Sequence, residues 1–228
     1  MKKHLKTLWL GILAGAAIGL GSFLFLLLKF LIEGQGGLMF ASMMFSVGLL
    51  LVCILGLNLY TGKIGVFLDE REKIKENSIN LPIILLGNAI GAFALGILFH
   101  FIFMGWEDFS ASVVTVANNK LVFSKVVIQG LLCGALVYIA VYFFKNLENW
   151  AMKVIGIIVS VTLFVYCGFQ HCIANMFYFG MAFDWKLDML WNLLIVILTN
   201  SIGALLIRCL VHLAAIIKGD KKEENKDR

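Results

Sequence analysis

Charge and proline are scarce in this chain. Only 14% of its 228 residues are charged and proline occurs once, while 61% are hydrophobic. A soluble domain carries about 25% charged residues and roughly 45–50% apolar ones. The composition excludes such a domain and reads as an integral membrane protein. Clustered carboxylates are missing too, as are a His/Cys set at metal-ligand spacing and a nucleophile paired with a base. These gaps speak against an enzyme, and no metal or cofactor is expected. The five cysteines, Cys53, Cys133, Cys167, Cys172 and Cys209, lie in apolar segments without a Cys-x-x-Cys pair. They read as small core residues and not as a disulfide or metal framework. The net charge of +5 is no nucleic-acid signal, because the basic residues sit at the ends of apolar runs and form no patch.

What the chain has in quantity is long apolar runs. A span needs about 20 apolar residues. Six candidate spans cover residues 8–30, 37–60, 79–103, 122–144, 152–177 and 187–217. The basic start, Lys2, Lys3, His4 and Lys6, resembles that of a signal peptide, but the run behind it reaches Phe30. That is too long for a cleaved core, so an uncleaved first span is expected. Residues 1–217 are expected to form a single six-helix transmembrane domain, and 218–228 a frayed, charged cytoplasmic tail. Lys and Arg cluster at the N-terminus, after the second and fourth spans (Lys63, Arg71, Lys73, Lys75, Lys145, Lys153) and in the tail. The other side offers Lys29, Lys120 and Lys186. By the positive-inside rule both termini are cytoplasmic, in a multi-pass protein of the cell membrane.

The two halves of the chain echo each other. Gly11-Ile12-Leu13-Ala14-Gly15-Ala16 returns as Gly130-Leu131-Leu132-Cys133-Gly134-Ala135, and Gly87-Asn88-Ala89-Ile90-Gly91-Ala92 as Thr199-Asn200-Ser201-Ile202-Gly203-Ala204. Gly56-Leu57-Asn58-Leu59-Tyr60-Thr61 in the second span corresponds to Gly168-Phe169-Gln170-His171-Cys172-Ile173 in the fifth. Three spans per half make the second half enter the membrane inverted, a pattern in which interrupted helices meet near the midplane and form the site. The recurrent glycines read as faces for close helix approach. Asn88 and Asn200 are expected to hydrogen-bond exposed backbone at the helix breaks. His171, with Gln170 and Asn175 beside it, stands inside an apolar span. An ionisable residue there is a functional candidate, because polar groups in hydrocarbon are costly. His4, His100 and His212 lie near span ends and read as interfacial; Trp106-Glu107-Asp108 reads as an interfacial anchor with loop charge.

The run Gly168-Phe169-Gln170-His171-Cys172-Ile173-Ala174-Asn175-Met176-Phe177 resembles the Gly-Phe-Glu-His-Ser-(Ile/Val)-Ala-Asn-Met-Phe pattern of the formate/nitrite transporter family. Leu59-Tyr60-Thr61-Gly62 and Gly87-Asn88-x-Ile90-Gly91-Ala92 resemble further motifs of that family, in order along the chain. The resemblance implies an all-α, aquaporin-like protomer whose six transmembrane helices form a 3+3 inverted repeat, with helices 2 and 5 interrupted. It also implies a homopentamer in which each protomer has its own pore. Carried over by position, the pore centre is His171 with Thr61 opposite. The outer constriction is Phe45, Leu49, Val137 and Phe164, and the inner one Leu59, Tyr60 and Ile173. Gln170, Asn88, Asn175 and Asn200 support the breaks, and Lys120 and Lys63 supply charge at the two mouths. Four positions depart from the family pattern: Gln170 replaces a glutamate, Gly134 stands where an asparagine is usual, the vestibule lysine falls at Asn118 with Lys120 two residues on, and Lys63 stands where small polar residues are common.

Function follows as an expectation. An anion pays far more than its neutral acid to cross an apolar slit. A small monovalent weak-acid anion of the formate, nitrite, hydrosulfide, acetate or lactate class would therefore pass as the neutral acid. His171 would relay the proton or donate a hydrogen bond, with the proton and the lipid bilayer as further partners. The alternative is a pore for neutral solutes such as water, glycerol or ammonia on the same scaffold.

Overall fold

The computed structural model describes residues 2–65 and 74–224. Arg71 and Lys73, counted above in the charge bias, and residues 225–228 of the tail lie outside them. The described chain runs through helices α1 (Lys2–Leu31), α2 (Gly34–Ile54), α3 (Tyr60–Ile64), α4 (Ile74–Phe103) and α5 (Glu107–Asn119). It continues through α6 (Phe123–Asn146), α7 (Trp150–Tyr166), α8 (Cys172–Ala182) and α9 (Leu187–Glu224). Five of them, α1, α2, α4, α6 and α9, are long and apolar enough to cross a bilayer. The remaining expected span, 152–177, is built from two shorter apolar helices, α7 and α8. α1 packs along α4, and α6 along α9, while α2 and α6 flank α7.

Small residues bring these pairs together. A Cβ on Gly15 would lie 2.1 Å from the Asn88 carbonyl oxygen, and one on Gly134 would lie 2.0 Å from that of Asn200. Real side chains do not fit at such distances, so α1–α4 and α6–α9 are in backbone contact at these points. Gly134 is therefore more than a missing asparagine: no side chain at all has room there. In lipid, where apolar tails compete equally for apolar helix faces, close backbone approach is a principal source of association.

The second and fifth spans break by the same device. After α2, Leu57 N–H bonds to Val52 C=O and Gly56 N–H to Cys53 C=O; after α7, Phe169 N–H bonds to Phe164 C=O and Gly168 N–H to Val165 C=O. This six-to-one and five-to-two pairing is the Schellman termination. It needs a left-handed residue, supplied by Gly56 at φ 63° and Gly168 at φ 70°. Each glycine turns the chain out of its helix into a short non-helical stretch, and α3 or α8 then begins.

Three boundaries differ from the sequence expectation. The loop expected around Trp106-Glu107-Asp108 contains α5, whose buried Phe109, Val113, Val116 and Ala117 form one helical stripe. Phe109 is fully buried among Phe23, Phe30, Phe103 and Trp106. The segment is too short and too mixed in polarity to announce itself as a span, and tertiary packing makes it a helix. α4 begins at Ile74, earlier than the expected residue 79, so Pro82 lies beyond its first turn. α9 continues past residue 217 to Glu224, so part of the stretch read as a frayed tail is helical.

Candidate functional site

The two broken spans meet at Thr61 and His171. His171 is the N-cap of α8: its Nδ1 accepts from the Ala174 backbone N–H at 3.2 Å. A ring nitrogen that accepts has its lone pair in that bond, which assigns the ring proton of the neutral imidazole to Nε2. Nε2 lies 3.0 Å from Thr61 Oγ1, and both residues are buried. The imidazole therefore donates and the threonine oxygen accepts, leaving the threonine hydroxyl hydrogen to point elsewhere. Phe164 stacks on the imidazole with ring centres 6.0 Å apart, and Phe45 meets Phe164 edge-on at 5.8 Å.

Each break is held by one asparagine with matching bonds. Asn88 Oδ1 accepts from Tyr60 N–H at 2.8 Å, while its Nδ2 donates to the carbonyls of Gly11 and Asn58, both at 2.8 Å. Asn200 Oδ1 accepts from Cys172 N–H at 3.0 Å, while its Nδ2 donates to the carbonyls of Gly130 and Gln170, both at 2.8 Å. Partner for partner, these are the positions that echo each other in the sequence. Non-helical backbone at membrane depth must find its bonds within the protein, and one carboxamide satisfies three such groups at each break.

A second network surrounds Gln170. Its Nε2 donates to the Lys120 carbonyl at 3.0 Å and lies 3.4 Å from Gln129 Oε1; its Oε1 accepts from Asn175 Nδ2 at 2.6 Å. Asn175 Nδ2 also donates to Asn192 Oδ1 at 2.9 Å, and Asn192 Nδ2 donates to the same Lys120 carbonyl at 2.7 Å. A backbone carbonyl only accepts, so Lys120 C=O fixes the direction of every amide in the ring. A carboxylate at position 170 has no hydrogen to offer that carbonyl. The glutamine thus fits this network by donating where a charged glutamate cannot.

On the α5 side of His171 a cavity of about 210 Å³ opens, with Phe45, Phe164, His171, Asn175, Lys29 and Lys120 in its walls. Among the described residues no Asp or Glu lines it. Lys120 Nζ lies 3.3 Å from the Phe169 carbonyl and 3.4 Å from that of Gly168, and 5.8 Å from the centre of the Tyr178 ring. Burial pushes this ammonium down to about 8, and the positive charge of Lys29 acts in the same direction. On the opposite side a cavity of about 200 Å³ is lined by Leu59, Lys63, Val141 and Lys145 among others. A larger opening of about 390 Å³ gathers Lys3, Lys6, Lys63 and Lys145, with Glu76 paired to Lys3 at 2.7 Å.

Not every expected site residue faces these spaces. Leu49 and Val137 are buried but are not part of the α5-side lining. Leu59 lines the opposite cavity, whereas Tyr60 turns its hydroxyl to Ser201 Oγ at 2.9 Å and Ile173 is fully buried at the start of α8. Gln129 and Asn192 were not singled out from the sequence. The signal was present, since both are uncharged polar residues inside apolar runs, as Asn200 is. Among the described residues no group of three His, Cys, Asp or Glu side chains is placed to hold a metal.

The sequence pattern described as formate/nitrite transporter matches residues 1–214. The chain is 32% identical over 235 residues to the uncharacterized transporter YrhG of Bacillus subtilis (strain 168), covering 96% of this chain and 88% of that one. It is 31% identical over 209 residues to the formate channel BtFdhC of Bacillus thuringiensis, covering 85% of this chain and 80% of that one. Its fold is similar to that of a solved pentameric formate channel with formate bound, at a TM-score of 0.82 and 24% identity, over 95% of this chain and 98% of that one. At that identity the likeness speaks for the fold. Family pattern, relatives and fold agree: the chain belongs to the formate/nitrite transporter family, and it is a multi-pass membrane channel and not an enzyme.

Proposed function

We propose that the channel carries small monovalent weak-acid anions of the formate, nitrite, hydrosulfide, acetate or lactate class. The observation that carries this reading is the buried His171, bonded to Thr61 behind it, in the wall of a cavity lined by lysine and by no carboxylate among the described residues. Lys120 draws the anion in. The phenyl ring of Phe164, with Phe45 against it, makes the way past His171 apolar. Leu49 and Val137 complete this outer constriction. Leu59, Tyr60 and Ile173 form the inner one, and Lys63 serves the inner mouth. At such a slit the neutral acid is favoured over the anion by the desolvation cost of charge.

His171 acts as a hydrogen-bond donor through Nε2–H. Its Nδ1 is engaged by Ala174 N–H, and a second ring proton is gained only by giving up that cap. This supports donation of a hydrogen bond, with the acid's proton coming from water, over an imidazolium relay. Asn88 and Asn200 hold the two breaks, and Gln170 and Asn175 hold His171 in place through the network around Lys120. The protomers assemble as a homopentamer in the cell membrane with both termini cytoplasmic. The support is the similar pentameric channel and the gathering of Lys3, Lys6, Lys63 and Lys145 on one side.

Flux of formate, nitrite, hydrosulfide, acetate and lactate into proteoliposomes under a pH gradient tests the proposal. Uptake of at least one of these, accelerated by inward protons, is expected. Inactivity toward all of them, with fast uptake of glycerol or ammonia that ignores the proton gradient, would replace it with a neutral-solute pore.

A further inference from the structure

Lys120 is not the only cation in the wall of the α5-side cavity: Lys29, from the last turn of α1, lines it as well. The two lysines sit at different depths. Lys29 is exposed, Lys120 is half-buried, and His171 in the wall is buried, as is Thr61 bonded to it. Each ammonium also lies over an aromatic ring, Lys29 at 5.7 Å from the centre of Phe25 and Lys120 at 5.8 Å from that of Tyr178. Such rings hold a cation in place without neutralising it.

The charge balance of this wall is one-sided. The lining carries no carboxylate among the described residues, and the amide ring beneath Lys120, formed by Gln170, Asn175, Asn192 and Gln129, is neutral throughout. A narrow space with walls of one charge sign and low dielectric concentrates ions of the other sign and raises their rate of arrival.

We infer that Lys29 is a second anion-capturing residue of this channel. It receives the small anion at the rim and passes it to Lys120, so that capture proceeds in two steps toward the Thr61–His171 pair. The inference rests on the anion-channel reading above and adds a residue that sets affinity and rate of access. A lysine in the last turn of a helix also complements the helix dipole. A test must therefore read something that helix stability alone would not move.

Flux in proteoliposomes at low and high ionic strength provides that reading, with formate as the probe. Lys29→Gln is expected to raise the KM for formate by about threefold or more at low salt, with unchanged maximal flux. The effect should shrink at high salt, where exposed charges are screened. Lys29→Arg should restore the low KM, and Lys125→Gln, at an exposed lysine outside this lining, should leave KM unchanged. A second readout needs no transport. Chloride bound by the detergent-solubilised channel, measured by its NMR line broadening, should fall in Lys29→Gln and fall further in the double variant with Lys120→Gln. If the wild type carries no weak acid but loses chloride binding on Lys29→Gln, the anion site stands and the substrate reading falls. If Lys29→Gln matches the wild type in chloride broadening, or in formate KM at low salt, Lys29 has no part in capture.

Discussion

Thr61 Oγ1 and His171 Nε2 lie 3.0 Å apart although 110 positions separate them in the chain. Neither half of the protein makes a site alone. Thr61 is delivered by the break that follows Gly56, and His171 by the break that follows Gly168. The bond between them reports that both Schellman turns and both asparagine clasps are in register. Thr61→Val keeps the shape and removes the hydroxyl, so the Nε2–H of His171 loses its acceptor and, on the proposed pathway, the acid loses a donor. Net hydrogen-bond losses of about 1–1.5 kcal/mol correspond to roughly a tenfold fall in flux. Proteoliposome uptake with an unchanged elution profile of the purified channel is the measurement. Full flux in this variant would remove Thr61 from the pathway.

Asn200→Ala strips the partner from three backbone groups at once: Cys172 N–H and the carbonyls of Gly130 and Gln170. A buried polar group left unpaired costs about 1–3 kcal/mol. Some of that cost is relieved if water enters, so a net destabilisation of about 3–5 kcal/mol is expected. Asn88→Ala should behave alike through Tyr60 N–H and the carbonyls of Gly11 and Asn58. Thermal unfolding of the solubilised protein reads both. A loss in one variant and none in the other would show that the two clasps are not energetically equivalent.

These clasps also show what the sequence could and could not tell. Asn88 and Asn200 were legible because an amide in an apolar run must find partners, and the echo between the halves said where. Gly56 and Gly168 were legible as breaks for a similar reason: each begins a polar, glycine-marked interruption of a span. The ring around Gln170 was not legible, because its hub is the backbone carbonyl of Lys120, and a carbonyl leaves no trace in residue identity. Phe45, Leu49, Val137, Phe164, Leu59, Tyr60 and Ile173 were assigned to the constrictions by resemblance alone. Of these the two cavities touch Phe45, Phe164 and Leu59; which side of an apolar helix faces a cavity depends on its neighbours and is not legible in residue type. α5 was missed since its stripe of Phe109, Val113, Val116 and Ala117 only gains meaning against the aromatic cluster that receives it.

Gln170→Glu tests the direction of the amide ring. The ionised carboxylate would face the Lys120 carbonyl as a second acceptor, where the glutamine donates at 3.0 Å. A loss of about 1–3 kcal/mol is expected at neutral pH. A protonated carboxyl would offer one donor again, so the deficit against the wild type should be smaller at acidic pH. Unfolding temperatures of wild type and variant across mildly acidic to neutral pH give the comparison. A variant as stable as the wild type at every pH would mean that the ring rearranges at no cost.

If Lys120 attracts the anion by its charge, as proposed, it gives the channel a pH dependence of its own. Its ammonium is pushed down to about 8, chiefly by burial. The charge is therefore complete well below that pH and fades as pH rises through it. Formate stays an anion throughout this range, because carboxylates titrate near pH 4. The ratio of wild-type to Lys120→Gln flux, measured with formate at constant proton gradient, should be well above one at pH 6.5–7 and fall toward one above about pH 8. A ratio independent of pH would mean that Lys120 acts by its bonds to the carbonyls of Gly168 and Phe169 and not by its charge.

Gly134 marks where the α6–α9 contact allows no side chain. Its missing Cβ would lie 2.0 Å from the Asn200 carbonyl oxygen, on the same residue that clasps the second break. Gly134→Ala must push α9 away from α6, and the Asn200 carboxamide moves with it. The expected result combines two effects. Overpacking costs about 1–3 kcal/mol, and flux falls because the Cys172 N–H and Gln170 C=O that frame His171 lose their partner. Gly36→Ala is the matched control, since a Cβ there meets nothing within 4 Å. Unfolding temperature and formate flux measured together decide the matter. If Gly134→Ala unfolds earlier yet keeps full flux per folded channel, the clasp yields without disturbing His171 and the coupling between packing and site is refuted.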